Sequence, residues 1–253
     1  MRIASWNVNG LRAALRKGIE RHLEVVDPDV VMLQEVRATV AQLPWTAPPG
    51  WSAEWHSAAR PGYAGVATWS RRPLRRLGTG IDGAPDDDGR VLRAEVDGIE
   101  LVNVYAPSGS AGPASRARKD QWSTAFAPFA AALARAAHPV VMGGDFNVAH
   151  TERDIHDPRG NKNNSGFLPH ERAWFGALLD AGWVDLVRVQ LGPIQGPYSW
   201  WSSRGKARAE DRGWRIDYLL GNAAAAARVR GASIHRAGGL EVSDHAPVSI
   251  ELG

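Results

Sequence analysis

Apolar residues come in short unbroken runs along this chain, each followed by a segment whose apolar positions recur every three or four residues. The first pattern predicts buried strands and the second amphipathic helices. Ile3 to Trp6 leads into a stripe of Leu11, Leu15, Ile19 and Leu23. That stripe predicts a helix ending at Asp27-Pro28, where the proline ring blocks continuation. Val30 to Leu33, Tyr63 to Trp69, Val91 to Val96 and Leu101 to Tyr105 read as further strands. The spacing of Trp122, Phe126, Phe129 and Leu133 predicts a helix over 118–136, and a second helix over 173–181 stops at Gly182. Ile216 to Leu220 and Val248 to Leu252 are late strands. Pro/Gly-rich stretches at 44–50, 78–89 and 106–113 are too short for linkers. The pattern therefore predicts one α/β domain over residues 1–253, with helices covering packed mixed sheets.

Composition narrows the class. The chain has no cysteine, which excludes disulfides, a thiolate metal site and a cysteine nucleophile, and suits cytoplasmic residence. It has no apolar run of membrane-spanning length, and its first residues lack the apolar core of a secretion signal. A soluble, cytoplasmic protein is expected. The net charge is only +3, but 26 of the 30 basic residues are Arg, the better fork for phosphate, which points to a polyanionic partner.

The ends of the apolar runs carry the chemistry. IASWN finishes on Asn7, VVMLQE on Glu35, LVNVY on Tyr105 and VVMGGDFN on Asp145 and Asn147. RIDYLL holds Asp217 within the run, and Ser243-Asp244-His245 precedes the last strand. Any one of these acids alone is more often a loop cap or a solvated charge. Together they predict convergence, because α/β proteins place their sites where strands end. Four carboxylates cannot stay ionised side by side without a cation. An all-oxygen donor set without cysteine favours Mg²⁺, or Mn²⁺ in its place, over zinc.

These residues, in this order, resemble the exonuclease III family of abasic-site endonucleases. The likeness runs through WNVNG (6–10), LQE (33–35), NVYAP (103–107), GDFNV (144–148), GNKNNSGFLPHERAWF (160–175), GWRIDYLL (213–220) and SDHAPV (243–248). GDFN and SDH alone are shared across the wider Mg²⁺-dependent phosphoesterase superfamily; the Asn-rich segment and the GWRIDY block are narrower. The resemblance implies a four-layer sandwich, two β-sheets packed together with helices outside. It also implies cleavage 5′ to an abasic site, 3′→5′ exonuclease action and removal of blocked 3′ ends. Double-stranded DNA is then the partner, Mg²⁺ the cofactor and a monomer the expected state.

The same resemblance implies roles. Glu35 is the main metal ligand, with Asp244 a weaker second contact and Asn9 weaker still. Asp145 orients or deprotonates the attacking water, with Asn7 and Asn147 fixing that geometry. Asp217 holds His245, which contacts a phosphate oxygen, and Tyr105 hydrogen-bonds the phosphate. The general base is either Asp145 or the His245–Asp217 pair, with Asp145 favoured. Asn161, Lys162, Asn163 and Asn164 are contacts to phosphate and site, Asn164 reaching furthest in. Arg37, Arg116, Arg118 and Lys119 are further phosphate contacts, which position DNA without reading its sequence. An extrahelical sugar needs a pocket, for which Trp200, Trp214 and Ile216 are the candidates; Trp6, Trp122 and Trp174 are assigned to packing. Three positions depart from relatives. Arg37 stands where some carry Lys, Asn9 where the animal branch carries Asp, and Ser108 is small at a variable position, which predicts an open sugar pocket.

Two other functions fit less of the sequence. A phosphoesterase for inositol phosphates or lipid head groups leaves Asn161 to Asn164 and the Arg bias unexplained. A catalytically silent DNA-binding module has no reason to keep Glu35, Asp145, Asn147, Asp217 and His245 intact.

Overall fold

The computed structural model describes residues 1–81, 86–237 and 241–253, so the centre of the Pro/Gly-rich stretch at 78–89 lies outside it. Strands in chain order are β1 (Arg2–Asn7), β2 (Val30–Gln34), β3 (Ser52–His56), β4 (Val66–Ser70), β5 (Arg75–Thr79), β6 (Val91–Val96) and β7 (Ile99–Tyr105). They continue with β8 (Val140–Asp145), β9 (Val184–Asp185), β10 (Trp200–Trp201), β11 (Gly213–Trp214), β12 (Asp217–Gly221), β13 (Val229–Ile234) and β14 (Val248–Leu252). The helices are α1 (Leu11–Arg16), α2 (Ile19–Val26), α3 (Pro113–Ala134), α4 (Pro158–Asn161), α5 (Pro169–Asp180), α6 (Leu186–Leu191) and α7 (Ala223–Ala226).

Twelve of these strands form two six-stranded sheets, ordered β13-β14-β1-β2-β4-β3 and β5-β6-β7-β8-β12-β9. Both are mixed: β1 and β2 run parallel, as do β7 and β8, and the neighbouring pairs are antiparallel. The central strands are buried on both faces, which is why they read as continuous apolar runs. Ile3, Met32, Leu101, Val141, Leu219 and Ile250 meet between the sheets. Outside the first sheet, Trp6, Leu33 and Trp69 pack against Leu11, Ile19 and Leu23 of α1 and α2. Outside the second, Val104, Val140, Met142 and Leu220 pack under Phe126 and Phe129 of α3 and Phe175 and Leu178 of α5. The result is the four-layer α/β sandwich that the resemblance implies. Among the described residues, no helix is long and apolar enough to cross a membrane.

Several elements differ from the sequence reading for local reasons. The stripe over 11–23 is two helices, because Gly18 turns left-handed at φ 81° between them. The strand expected over 63–69 begins only at Val66, since Ala64 and Gly65 both take positive φ. The long helix begins five residues earlier than expected, at Pro113, a favoured first position. The strands β3, β5 and β13 were not anticipated at all; they lie at or next to sheet edges, half-exposed and carrying too few apolar residues to show a pattern.

The buried seam between the sheets is not wholly apolar. Gln34 donates to Asn103 Oδ1 at 2.8 Å and to Ser5 Oγ at 3.1 Å, while Asn103 donates to the Ala67 carbonyl at 2.9 Å. These directional bonds set one sheet's position over the other.

The Gly143-Gly144 pair explains itself in this frame. A Cβ on Gly143 would lie 2.4 Å from the tip of Met32 across the seam, and one on Gly144, at φ 152°, would lie 1.8 Å from the Val104 carbonyl. Only glycine lets β8 reach β7 so closely and still end on Asp145. Gly144→Ala is therefore expected to destabilise the fold by about 2–4 kcal/mol, measured as a lower urea midpoint at unchanged slope.

Candidate active site

Strand pairing alone gathers the polar strand ends. Asn7 pairs with Gln34 in parallel register, which puts Glu35 one residue beyond β2 beside the end of β1. Tyr105 pairs with Asp145 across β7 and β8, and Asp217 pairs with Asp145 across the antiparallel β8 and β12. Asp217 thus opens its strand rather than interrupting it, and lies at the edge where β8 ends. In the first sheet β14 runs antiparallel to β1, with Val248 opposite Ser5, so residues 243–245 emerge at the same edge.

Two hydrogen bonds then join the sheets. Asn7 Nδ2, from β1, donates to Asp145 Oδ2 at 2.9 Å. His245 Nδ1, from the approach to β14, donates to Asp217 Oδ2 at 2.9 Å. Asp145 Oδ1 also accepts the Asn147 backbone N–H at 2.9 Å, and Asp217 Oδ2 accepts Ser199 Oγ at 2.6 Å. Ser243 Oγ donates to the Asn7 carbonyl at 2.7 Å and accepts the His245 N–H at 3.1 Å. Ser199 escaped the sequence reading, and Ser243 was named there without a role. Ser243 lies within the SDH signature, whereas nothing local marks Ser199.

Burial sets the charges. Loss of water and the adjacent Asp217 push the Asp145 carboxyl up to about 7, against the pull of His245, the Asn147 N–H and the Asn7 amide. Burial would lower the His245 ring, but Asp217, through its charge and hydrogen bond, together with Asp145 and Asp244 lifts it to about 10. At neutral pH the ring is an imidazolium. Burial, with Glu35 and Asp145 nearby, holds the Tyr105 hydroxyl well above its ordinary value, so it remains a donor.

Asp145 and His245 line a cleft of about 730 Å³, with Asn7 and Asp217 buried beneath them, and its walls include Asn9, Glu35, Arg37, Tyr105, Ser108, Arg116, Asn147, Asn164, Trp200, Trp214, Ile216 and Asp244. Ser110, Ser202 and Arg204, which the sequence reading did not single out, also line it. Four wall residues hold left-handed backbone without being glycine: Asn9 (φ 47°), Glu35 (φ 55°), Arg37 (φ 52°) and Asn147 (φ 54°). Each such residue costs about 1–3 kcal/mol, and the strain turns their side chains into the cleft. Trp200 and Trp214 meet edge to face, with centroids 6.0 Å apart. Trp6 is buried and donates its indole N–H to the His245 carbonyl at 3.0 Å, while Trp122 and Trp174 pack with Phe126.

The remaining expected contacts disperse. Arg118 lines a neighbouring depression with Tyr63 and Trp122. Asn161 borders a shallow groove beside Trp214 and supports Asn164 through a 2.8 Å hydrogen bond. Lys162 and Asn163 stand exposed on the same loop. Lys119 is corrected outright. It is 2 % exposed, bonded to Glu171 at 2.6 Å and to the Asn147 carbonyl at 2.9 Å, so it holds the site together from behind rather than touching a phosphate. Glu171 in turn accepts the Ser165 hydroxyl and the N–H groups of Gly166 and Leu168, which ties down the Asn-rich loop.

The donor set suits a hard cation. Glu35 reaches the cleft with its carboxylate against the Arg37 guanidinium, the cationic partner it has here. Ligand atoms of Asp145, Asp217 and His245 lie within 4.8 Å of one another. The His245 imidazolium offers no lone pair, however, so the carboxylates of Glu35 and Asp145 are the donors that face the cleft. Oxygen donors dominate and no thiolate is present, which fits Mg²⁺ or Mn²⁺.

His245 should remain doubly protonated from pH 6 to 9 in nitrogen NMR spectra of its ring, and Asp217→Asn should bring its titration down toward the ordinary histidine range. Because the folded ring holds its proton more tightly than the unfolded one, the stability it adds is complete below about pH 6.5 and lost as the pH rises through about 10.

Comparison with known proteins agrees with the geometry. Residues 4–245 match the model of the endonuclease/exonuclease/phosphatase family. An exodeoxyribonuclease of Bacillus subtilis is 36% identical over 253 residues, covering 99% of this chain and 98% of that protein. The structure of an AP endonuclease from Archaeoglobus fulgidus superposes with a TM-score of 0.91 at 27% identity, over 100% of this chain and 99% of that one. A 3′ phosphatase from Neisseria, NExo, bound to a product DNA hairpin superposes with a TM-score of 0.90 at 32% identity, again over 100% and 99%. The chain belongs to the endonuclease/exonuclease/phosphatase family, among its exodeoxyribonucleases and AP endonucleases.

Proposed function

We propose that this protein is a Mg²⁺-dependent DNA repair nuclease that hydrolyses the phosphodiester 5′ to an abasic site, with 3′→5′ exonuclease and 3′-phosphatase side activities. The observation that carries the reading is the buried carboxylate of Asp145 beside His245 at the floor of a cleft walled by Trp200 and Trp214, with Asp217 buried beneath and bonded to His245.

A phosphodiester resists attack because its anionic oxygens repel a nucleophile and its alkoxide leaves poorly. Asp145, poised near neutrality, takes a proton from the attacking water as the oxygen–phosphorus bond forms. Asn7 and Asn147 fix the carboxylate that aims it. As the bond to O3′ breaks, charge builds on the phosphoryl oxygens, where the His245 imidazolium and the Tyr105 hydroxyl meet it. Asp217 keeps the imidazole charged and oriented. Glu35 would hold Mg²⁺, which when bound neutralises charge at the scissile phosphate and the departing alkoxide. Arg37, Arg116 and Asn164 line the approach to the floor, where phosphates flanking the site would lie. Trp200, Trp214 and Ile216 form the apolar wall for a sugar that carries no base.

The decisive test is a duplex with one tetrahydrofuran abasic analogue, incubated with Mg²⁺ or EDTA beside undamaged and 3′-phosphate duplexes. Incision 5′ to the analogue is expected only with Mg²⁺, with Asp145→Asn slower by about 10³-fold or more. Trimming of 3′ ends without incision would make the protein a 3′-end processor. Binding without either activity would leave a silent module.

The pH profile follows from the same groups. kcat/KM should climb through about pH 7 as Asp145 ionises and fall near pH 10 as His245 loses its proton. Asp217→Asn should bring the alkaline limb to lower pH.

Ser108 borders the cleft, where a bulkier side chain would crowd the sugar. Ser108→His is expected to slow abasic incision more than removal of a 3′ phosphate, and equal losses would refute an open sugar pocket.

A further inference from the structure

Asp244 lies next to His245 on the cleft wall, where its carboxylate is available in principle to a cation. Its oxygens are engaged otherwise. Oδ2 accepts the indole N–H of Trp200 at 3.0 Å, and Oδ1 accepts the Asn9 amide at 2.9 Å, with Ser243 Oγ more distant at 3.5 Å. The backbone repeats the link: Trp200 bridges His245, and Trp201 donates to the Asp244 carbonyl at 3.2 Å. Asn9 therefore puts the positive end of an amide dipole where a second acid would put a charge needing a cation. An Asp at that position would face Asp244 with like charge; Asn9 makes the pair self-sufficient.

The indole has the opposite need. Backbone pairing places the Cα of Trp200 but does not by itself fix the orientation of its ring, which packs against Trp214 and Ile216. A hydrogen bond to a carboxylate is about twice as strong as one between neutral groups, and it selects one ring orientation. In that orientation the ring stands edge to face with Trp214 at 6.0 Å and lies 6.4 Å from the His245 ring.

We propose that Asp244 is a positioning residue for Trp200. Held by Asn9, it sets the indole as the wall of the sugar pocket, and so governs the choice between abasic sites and 3′ ends rather than the holding of metal. The proposal rests on the abasic-site reading of the cleft, which supplies the sugar that the wall receives.

A double-mutant cycle tests it. Asp244→Asn loses an acceptor but keeps its size, and Trp200→Phe keeps an aromatic ring but loses the N–H. Each alone should lower the ratio of kcat/KM for the abasic duplex over the 3′-phosphate duplex by about 10-fold, mostly through KM. The double variant should lose no more than either single one. Mn²⁺ binding without DNA, followed by electron paramagnetic resonance, should match wild type in Asp244→Asn and weaken in Glu35→Gln.

Additive losses in the cycle, equal losses on both substrates, or weaker Mn²⁺ binding in Asp244→Asn would each overturn the role of Asp244. If Asp244→Asn does not fold, as judged by urea melting, Trp200→Phe and Asn9→Ala decide alone: an unchanged substrate ratio in both overturns the proposal. A wild type that removes 3′ phosphate but never incises the abasic duplex would overturn the underlying reading with it. Incision by wild type with a failed cycle would overturn only the positioning role.

Discussion

Two carboxylates with almost no access to water, Asp145 and Asp217, lie opposite each other on neighbouring strands. Left alone, that pair would drive the sheet apart or take up protons. Each acid has a neutral donor close by, Asn147 for Asp145 and Ser199 for Asp217, but its remaining partner is not in its own sheet. Asn7 and His245 come from the other one, so the compensation is complete only when the two sheets are docked. The apolar seam provides most of the attraction between them, and Gln34 and Asn103 set their alignment. The geometry of the site and the packing of the sheets are therefore a single arrangement, seen from two sides.

Around this core the fold gives up local comfort. Glu35, Arg37, Asn9 and Asn147 accept left-handed backbone at the points where strands break into loops. The buried Lys119–Glu171 pair is a similar concession. A well-packed apolar pair could do as well for stability, but it would not hold the Asn147 carbonyl on one side and the N–H groups of Gly166 and Leu168 on the other. That pair fixes the Asn-rich loop to the strand end beside it.

Much of this was legible in the residues. Central strands announced themselves as apolar runs because they are buried on both faces, and their polar last residues marked the edge where the cleft opens. Asp217 was harder, because an acid inside an apolar run looks misplaced until the antiparallel direction of β12 puts it at the strand's start. Lys119 was misread because a lone lysine in a helix rich in charge resembles a solvated one, and its partner lies 52 residues away. The edge strands carry no period to read. Ser199 is visible only through tertiary contact: its hydroxyl reaches an acid 18 residues on, with no local motif to flag it.

The order of assembly along the chain has its own consequence. Asn7 lies in the first strand and meets Asp145 across 138 residues, while Ser243 closes back on Asn7 across 236. The imidazolium arrives just ahead of β14, the last strand in chain order, which inserts in its sheet between β13 and β1. A growing or partly unravelled chain therefore has the acids without the cation that tames them, and the strand ends without the docked sheet that aims them. The first and last strands must lie side by side before the two buried acids have their partners from the first sheet.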